Sequence, residues 1–482
     1  MKKRFIVILL LGGLLHLSCS DWLDVKPRTE TRKAELFESQ KGFRDALTGT
    51  YIRMKGGNVY GDALMWGNIE FMAQHWDLPT ANASSARANL KRYDYNNGTV
   101  QEWMANMYEG LYKVIADANS ILEEIDAKKS VFEAGNYEMI KGEALALRAF
   151  CHFDVLRLFG PIPTEATENK ILPYVKMVVN QPHEHATYQQ FVRFILDDLN
   201  MAEALLKEVD PILEHSIRDL NTLAQSGGAV GDDTYVGYRQ LRMNYYAVLA
   251  QKARVNLWIQ EKGEAGRYAK MVIDAVDKEG AKMFRLGNQS DITAGDYTVS
   301  SEHIMALLMH NLRENAVALF GQSGSLMKQD YDYYLGQLFP AGERTTDIRF
   351  ALWIPRNLDT TYKLFRKFIQ SEGYYPILQA PLLRLSEMYL IATETADNLT
   401  EASNFYKTFC VAKGIPFTQF ADEADRSSKL IREYNREFYA EGQAFFAFKR
   451  RNERSILWAT VAGGSAVYIV PMPIREIEYY NK

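Results

Sequence analysis

Residues 142–163 read GEALALRAFCHFDVLRLFGPIP, and this stretch decides the fold class. Apolar residues recur at three and four positions from Tyr137 to Phe159, the repeat that lays one apolar face along a helix. Gly160-Pro161 then removes the conformations a helix needs, so the helix is predicted to stop at Phe159. Glu143, Arg148 and Arg157 fall inside the apolar pattern. A charge buried without a partner is costly, so each is expected to sit in an internal ion pair.

The same period extends on both sides. It predicts helices from Ala34 to Ile52, Val100 to Ile125, Tyr188 to Val209 and Leu241 to Gln260, with a Gly-rich loop at Ser226 to Gly231. Tyr245 to Ile259 and Gly266 to Val276, joined at Glu261-Lys262-Gly263-Glu264, look like a tetratricopeptide unit, with small Ala250, Ala253 and Ala269 where helices meet. A similar unit is expected at Leu382 to Ala396 and Glu401 to Lys413; two units so far apart are weak as an array. Between them, Gly287 to Tyr375 breaks into short segments rich in Gly, Asp and aromatics, the kind of excursion that often carries function. Tyr468 to Ile474 reads as a strand or extended segment before a last short turn. The expectation is an all-α fold, mostly helical, with long decorating loops and few short strands. An N-terminal part of about 34–225 and a C-terminal part of about 232–482 form one domain.

The chain starts with Met1-Lys2-Lys3-Arg4, an apolar run from Phe5 to Leu17, then Ser18-Cys19-Ser20-Asp21. A cationic head, a short apolar run and a small residue before the cut define an export signal, here 1–18, and Cys19 adds an acceptor for acyl chains. His16 stands three residues before the cysteine, where leucine is usual. The apolar run is too short to span a bilayer, so Cys19 is expected to anchor the mature chain to a membrane by lipid, with 19–33 as a polar tether. Net charge is −4, from 56 basic and 60 acidic residues, which offers no basic field for nucleic acid. Cys151 and Cys410 read as buried free thiols rather than a disulfide. Aromatic residues make up 12% of the chain; most must be core, leaving a minority as ligand platforms.

Four stretches together resemble the SusD/RagB family of outer-membrane glycan-binding lipoproteins of Bacteroidetes. They are Gly142 to Pro163, Leu382 to Ile391, Ile431 to Phe446 and Val470 to Ile477, in the family's order and spanning nearly the whole chain. The pattern departs at Cys151-His152-Phe153, where paired aromatics are commoner, and at Ala447-Phe448-Lys449-Arg450, where an aspartate-led run is usual. The resemblance implies tetratricopeptide-like units with long loops, sitting as a lid on a SusC/RagA-like TonB-dependent transporter. It implies capture of oligosaccharide, with peptide or another nutrient as the alternative ligand and a surface glycosidase as a lesser one. The motifs mark the frame; Arg384, Glu387, Arg436, Glu437 and Glu441 within them read as further ion pairs.

A sugar site needs exposed rings for stacking and polar side chains for directional hydrogen bonds. Two segments have that mixture. Tyr60 to Asn97 holds Trp66, Trp76, Asp77, Arg92 and Tyr93, and the corresponding region often supplies binding residues in the family. Asp330-Tyr331-Asp332-Tyr333-Tyr334 alternates acid and ring. Trp76 and Asp77 lead the candidates, followed by Trp66, Arg92, Tyr93, Tyr331 and Tyr333, each ring having core burial as its alternative. On this reading Trp76→Ala would weaken binding without lowering the melting temperature. No nucleophile elbow or phosphate loop occurs, so no catalytic residue is assigned. His183-Glu184-His185 reads as a solvated loop, not a metal site. No cofactor is expected; a structural calcium at an Asp-bearing loop such as Asp291 to Asp296 would suit that ion's oxygen preference, and nothing further supports it.

Overall fold

A computed structural model describes residues 33, 35–78, 82, 84–179, 181–231, 233–331, 333–369 and 378–480. The export signal, Cys19, the tether up to residue 32 and Asp332 lie outside the described residues. The fold is mostly helical with short strands. Its principal helices are α1 (Gln40–Met54), α2 (Gly98–Glu124), α3 (Asn136–Phe159), α4 (Tyr188–Leu206), α5 (Tyr245–Trp258), α6 (Lys262–Ile273), α7 (Leu385–Thr395), α8 (Leu399–Lys413), α9 (Glu423–Glu437) and α10 (Ala444–Arg451).

Helix α3 is the axis. It packs against α2 on one side and α4 on the other, and from Gly142 to Phe159 every residue is buried. The one-faced pattern expected from its period is therefore a helix enclosed all round, as a core helix of a large protein must be. Its charges are paired as expected. Glu143 takes Arg239 at 2.6 Å, Arg148 grips Asp198 with two bonds of 2.7 Å, and Arg157 pairs with Asp154 one turn away. The helix ends at Gly160, and Lys449 of α10 donates to the carbonyls of Leu158 and Gly160 at 3.0 and 2.7 Å. An ammonium there completes the helix C-terminus, although burial pushes Lys449 well below the usual lysine range. His152, the other departure from the family pattern, stacks on Tyr174 at 3.8 Å and accepts from the Val175 amide at 3.0 Å. Both departures are structural.

Helices start where side chains cap them. Asn97 caps α2, Thr187 and Gln190 form a capping box on α4, and Asn244 caps α5 while its amide donates to Ile304 at 2.8 Å. The two tetratricopeptide-like units are α5/α6 and α7/α8. Contrary to the expectation from their distance in sequence, they stack directly, α6 against α7. Gly266 makes this close: a Cβ there would stand 2.6 Å from Thr395 Oγ1. The excursion between them is thus an insertion thrown out of a continuous helical stack.

The second unit also differs at its start. Leu382 to Arg384 belong to a strand, β7 (Gln379–Arg384), antiparallel to β3 (His303–Leu308). Inside the excursion, β4 (Met327–Gln329) and β5 (Trp353–Pro355) flank β6 (Tyr362–Phe365) in a three-stranded antiparallel sheet. A further pair, β1 (Lys170–Pro173) with β2 (His185–Thr187), carries His185. That histidine is buried, stacked on Tyr480 at 3.8 Å and 3.1 Å from Glu476. The solvated-loop reading fails there because the last helix, Ile474–Tyr480, folds back over it. Cys151 and Cys410 are buried free thiols.

Candidate glycan-binding face

The Tyr60 to Asn97 segment forms the base of the site, not its platform. Trp66 and Trp76 are 1% and 0% exposed. Trp76 lies between Phe320 and Tyr439, at 5.6 and 5.1 Å, and donates its indole N–H to the Trp66 carbonyl at 2.8 Å. Tyr93 is also buried, its hydroxyl donating to Met72 O at 2.8 Å. None of the three presents a ring face to a ligand, and the expectation that they do is corrected: residues from distant parts of the chain cover them. Arg92 stays on the surface beside Asn89.

Asp77 is buried and structural. Its amide donates to Met327 O at 2.9 Å, and its carboxylate takes Lys328 Nζ at 3.1 Å and the Gln329 amide at 2.9 Å. These bonds fasten β4 to the core. Beyond Gln329 the chain turns, with the Tyr334 and Gly336 amides both donating to Tyr331 O. The turn leaves Tyr331 and Tyr333 outermost, 50% and 64% exposed, while Asp330 is held by Lys363 at 3.3 Å. Tyr333 and Tyr334 stand perpendicular, their rings 5.3 Å apart.

The sequence reading missed Trp458. This half-buried ring donates its N–H to Tyr333 O at 3.1 Å, and Lys328 Nζ lies 3.5 Å from its centre. Trp458 has φ +67°, a left-handed backbone that an aromatic residue holds only where its surroundings enforce it, and such strain concentrates at functional sites. The available signal was a lone tryptophan in an aperiodic loop ahead of Gly463-Gly464. Together Tyr331, Tyr333, Tyr334 and Trp458 make an aromatic face, with Gln329 and Tyr362 at its edge, 3.5 Å apart. Perpendicular rings with amide and hydroxyl groups beside them suit the flat apolar faces and hydroxyl rims of sugars.

Burial pushes Lys328 down to about 7 despite Asp77. The unfolded chain, with lysine near its ordinary 10.5, binds more protons than the folded one between those values. The cost of burying this charge is complete below pH 7 and is relieved as pH rises. Relative to Lys328→Met, the wild type should therefore gain stability by up to about 1.4 kcal/mol per pH unit above neutrality. Parallel curves of urea-unfolding stability against pH would refute this.

Asp291 and Asp296 are engaged within the protein, Asp291 with Arg285 at 2.6 Å and Asp296 with the Ser300 amide and hydroxyl at 2.7 Å. Among the described residues no group of three or more His, Cys, Asp or Glu is placed to hold a metal, and no helix is long and apolar enough to cross a membrane.

Residues 21–216 match a SusD-like family described as "Starch-binding associating with outer membrane". A SusD-like protein of Formosa agariphila is 24% identical over 217 residues, 44% of this chain, and the match spans only 39% of that relative's length. A SusD superfamily structure from Bacteroides vulgatus superposes with a TM-score of 0.69 at 19% identity, covering 92% of this chain and 98% of its own. A laminarin-binding SusD-like protein superposes with a TM-score of 0.60 at 15% identity, over 92% and 98% of the two chains. At such identities the superpositions establish the fold, and the sequence match establishes the kinship of the N-terminal part. By that match residues 21–216 are similar to the SusD-like family, and over 92% of its length the chain has the fold of the SusD superfamily structures.

Proposed function

We propose that this protein is an outer-membrane lipoprotein, anchored through acylated Cys19, that captures oligosaccharide at the cell surface and passes it to a SusC/RagA-like TonB-dependent transporter. The observation that carries this reading is the aromatic face of Tyr331, Tyr333, Tyr334 and Trp458, fixed to the helical stack through Lys328 and Asp77. Its role is capture, not turnover: the face offers stacking surface and hydroxyl partners, and its charged members are tied into the frame. Tethering raises the local concentration of bound sugar above a transporter mouth, so modest affinity suffices.

Two measurements test it. Gentle solubilisation of native membranes should recover a TonB-dependent barrel with the wild type and not with Cys19→Ala; recovery of the protein alone, at full yield, would remove the transport role. In a panel of neutral oligosaccharides that includes laminarin fragments, the Tyr331→Ala/Tyr333→Ala double variant should lose about tenfold or more in affinity with an unchanged melting temperature. Equal affinity of wild type and variant across the panel would remove the face from the site, and binding of peptides instead would reassign the ligand.

A further inference from the structure

A cavity of about 1010 Å³ opens between the C-terminal half of α1, the connector 217–242, the loop 282–301 and the edge of the β3–β7 pair. It has the size of a ligand pocket and shares none of the four rings of the aromatic face. Two polar side chains of its wall stand out. The Arg242 guanidinium makes no hydrogen bond to a described residue: it lies 4.1 Å over Tyr235 and 3.6 Å from Glu143, and Nη1 is enclosed without a hydrogen-bond partner. That carboxylate is already taken by Arg239 at 2.6 Å and by Tyr51 at 2.7 Å. Ser301 Oγ is enclosed and equally unpartnered. Buried donors without acceptors are rare in native proteins and call for an explanation.

Charge and shape supply one. Lys55, four residues beyond Tyr51 and so on the same side of α1, forms no ion pair among the described residues. Of the lining cations, Lys282 is held by Asp274 at 3.1 Å and Arg285 by Asp291 at 2.6 Å, which leaves Lys55 and Arg242 facing the cavity with only Asp296 as a further acid in the lining. The cavity is therefore net cationic in a protein of net charge −4. Tyr238, in the same lining, is 40% exposed with φ +53°, a strained conformation for a non-glycine residue that sets an aromatic ring in the cavity wall.

We propose that this cavity is a second binding site, for a saccharide bearing a carboxylate or sulfate group. The anion lies on Arg242 and Lys55, whose fork and point charge suit such groups, and the sugar face stacks on Tyr238. The site goes beyond the aromatic face, which offers rings and neutral donors.

The test is calorimetric titration of the full-length protein with an oligogalacturonate, a sulfated oligosaccharide and a neutral oligosaccharide of matched length. One anionic probe should bind about tenfold tighter than the neutral one, and whichever is tighter names the anion. Lys55→Ala and Tyr238→Gly should each weaken that probe about fivefold or more. Neither should lower the melting temperature, because Lys55 supports no ion pair and glycine adopts the left-handed conformation freely. Equal affinity for anionic and neutral probes, or undiminished anion binding in both variants, would overturn the proposal. The neutral probe is followed in the same variants and in Tyr331→Ala/Tyr333→Ala. Loss of anion binding in that double variant, and not in the cavity variants, would move the anion to the aromatic face and overturn the cavity.

Discussion

Arg384→Met is expected to destabilise the protein by about 3–5 kcal/mol, enough to consume much of the 5–15 kcal/mol that holds a domain folded. Arg384 is buried at the end of β7 and reaches Glu441 at 2.9 Å, Glu302 at 2.8 Å and Glu437 at 2.7 Å. The network continues through Lys413 and Lys367 to Arg349 and Arg436, which hold Asp347 and Glu433. Five buried cations meet five buried acids there, so removing one cation leaves an uncompensated carboxylate away from water. Arg384→Lys should fail as well, since one ammonium cannot reach three carboxylates in the geometry of a fork. The network has a pH signature. Burial alone would raise the Glu437 carboxyl, but Lys413, Arg384 and Arg349 hold it well below the usual range. Its stabilisation is fully present above the ordinary glutamate range and lost as pH falls through the depressed value. Arg384→Met should therefore also move the acid-unfolding midpoint to higher pH. Urea unfolding that shows a loss below about 1 kcal/mol, the scale of an exposed pair, would show that the network is not what ties these elements together.

That network explains what the sequence discloses. Charges embedded in apolar periodicity can be read without a structure, because burial without a partner is prohibitive; Arg148, Arg157, Arg384, Glu387 and Glu437 were legible as paired residues for that reason. The partners were not. Glu302 lies 82 residues from Arg384, in an excursion with no period to read. The same distance hid the stacking of α6 on α7, where contact depends on a glycine at 266 meeting a threonine at 395. Aromatic residues were the least legible, because a lone tryptophan in an aperiodic loop marks a candidate without telling whether other segments cover it. Trp76 and Trp458 look alike in sequence. Phe320 and Tyr439 cover the first, while the second is held open by a left-handed backbone and a lysine beneath it. Tyr331 and Tyr333 were candidates from a loop-like stretch alternating acid and ring, with core burial as the alternative, and the structure leaves both exposed.

Trp76→Ala separates the two roles most sharply. The ring is fully enclosed, so its removal forfeits the burial of a large side chain and leaves a cavity that neighbours on three separate segments cannot collapse to fill; such changes cost about 3–5 kcal/mol. The loss spreads beyond contact area, because the indole N–H donates to the Trp66 carbonyl and the adjoining His75 stacks on Tyr439 at 4.0 Å. His75 in turn meets Glu70 at 2.5 Å, and Glu70 accepts from the Ala440 and Gly442 amides at 2.7 and 2.8 Å. A gap at Trp76 thus loosens the clasp between the N-terminal segment and the loop after α9. The expected result is a large drop in melting temperature, with oligosaccharide affinity retained in whatever fraction stays folded, the reverse of the outcome for Tyr331→Ala/Tyr333→Ala. Thermal unfolding and titration on the same preparations decide it. A Trp76→Ala protein that melts like the wild type and binds oligosaccharide poorly would place that ring in the ligand's path and the aromatic face outside it.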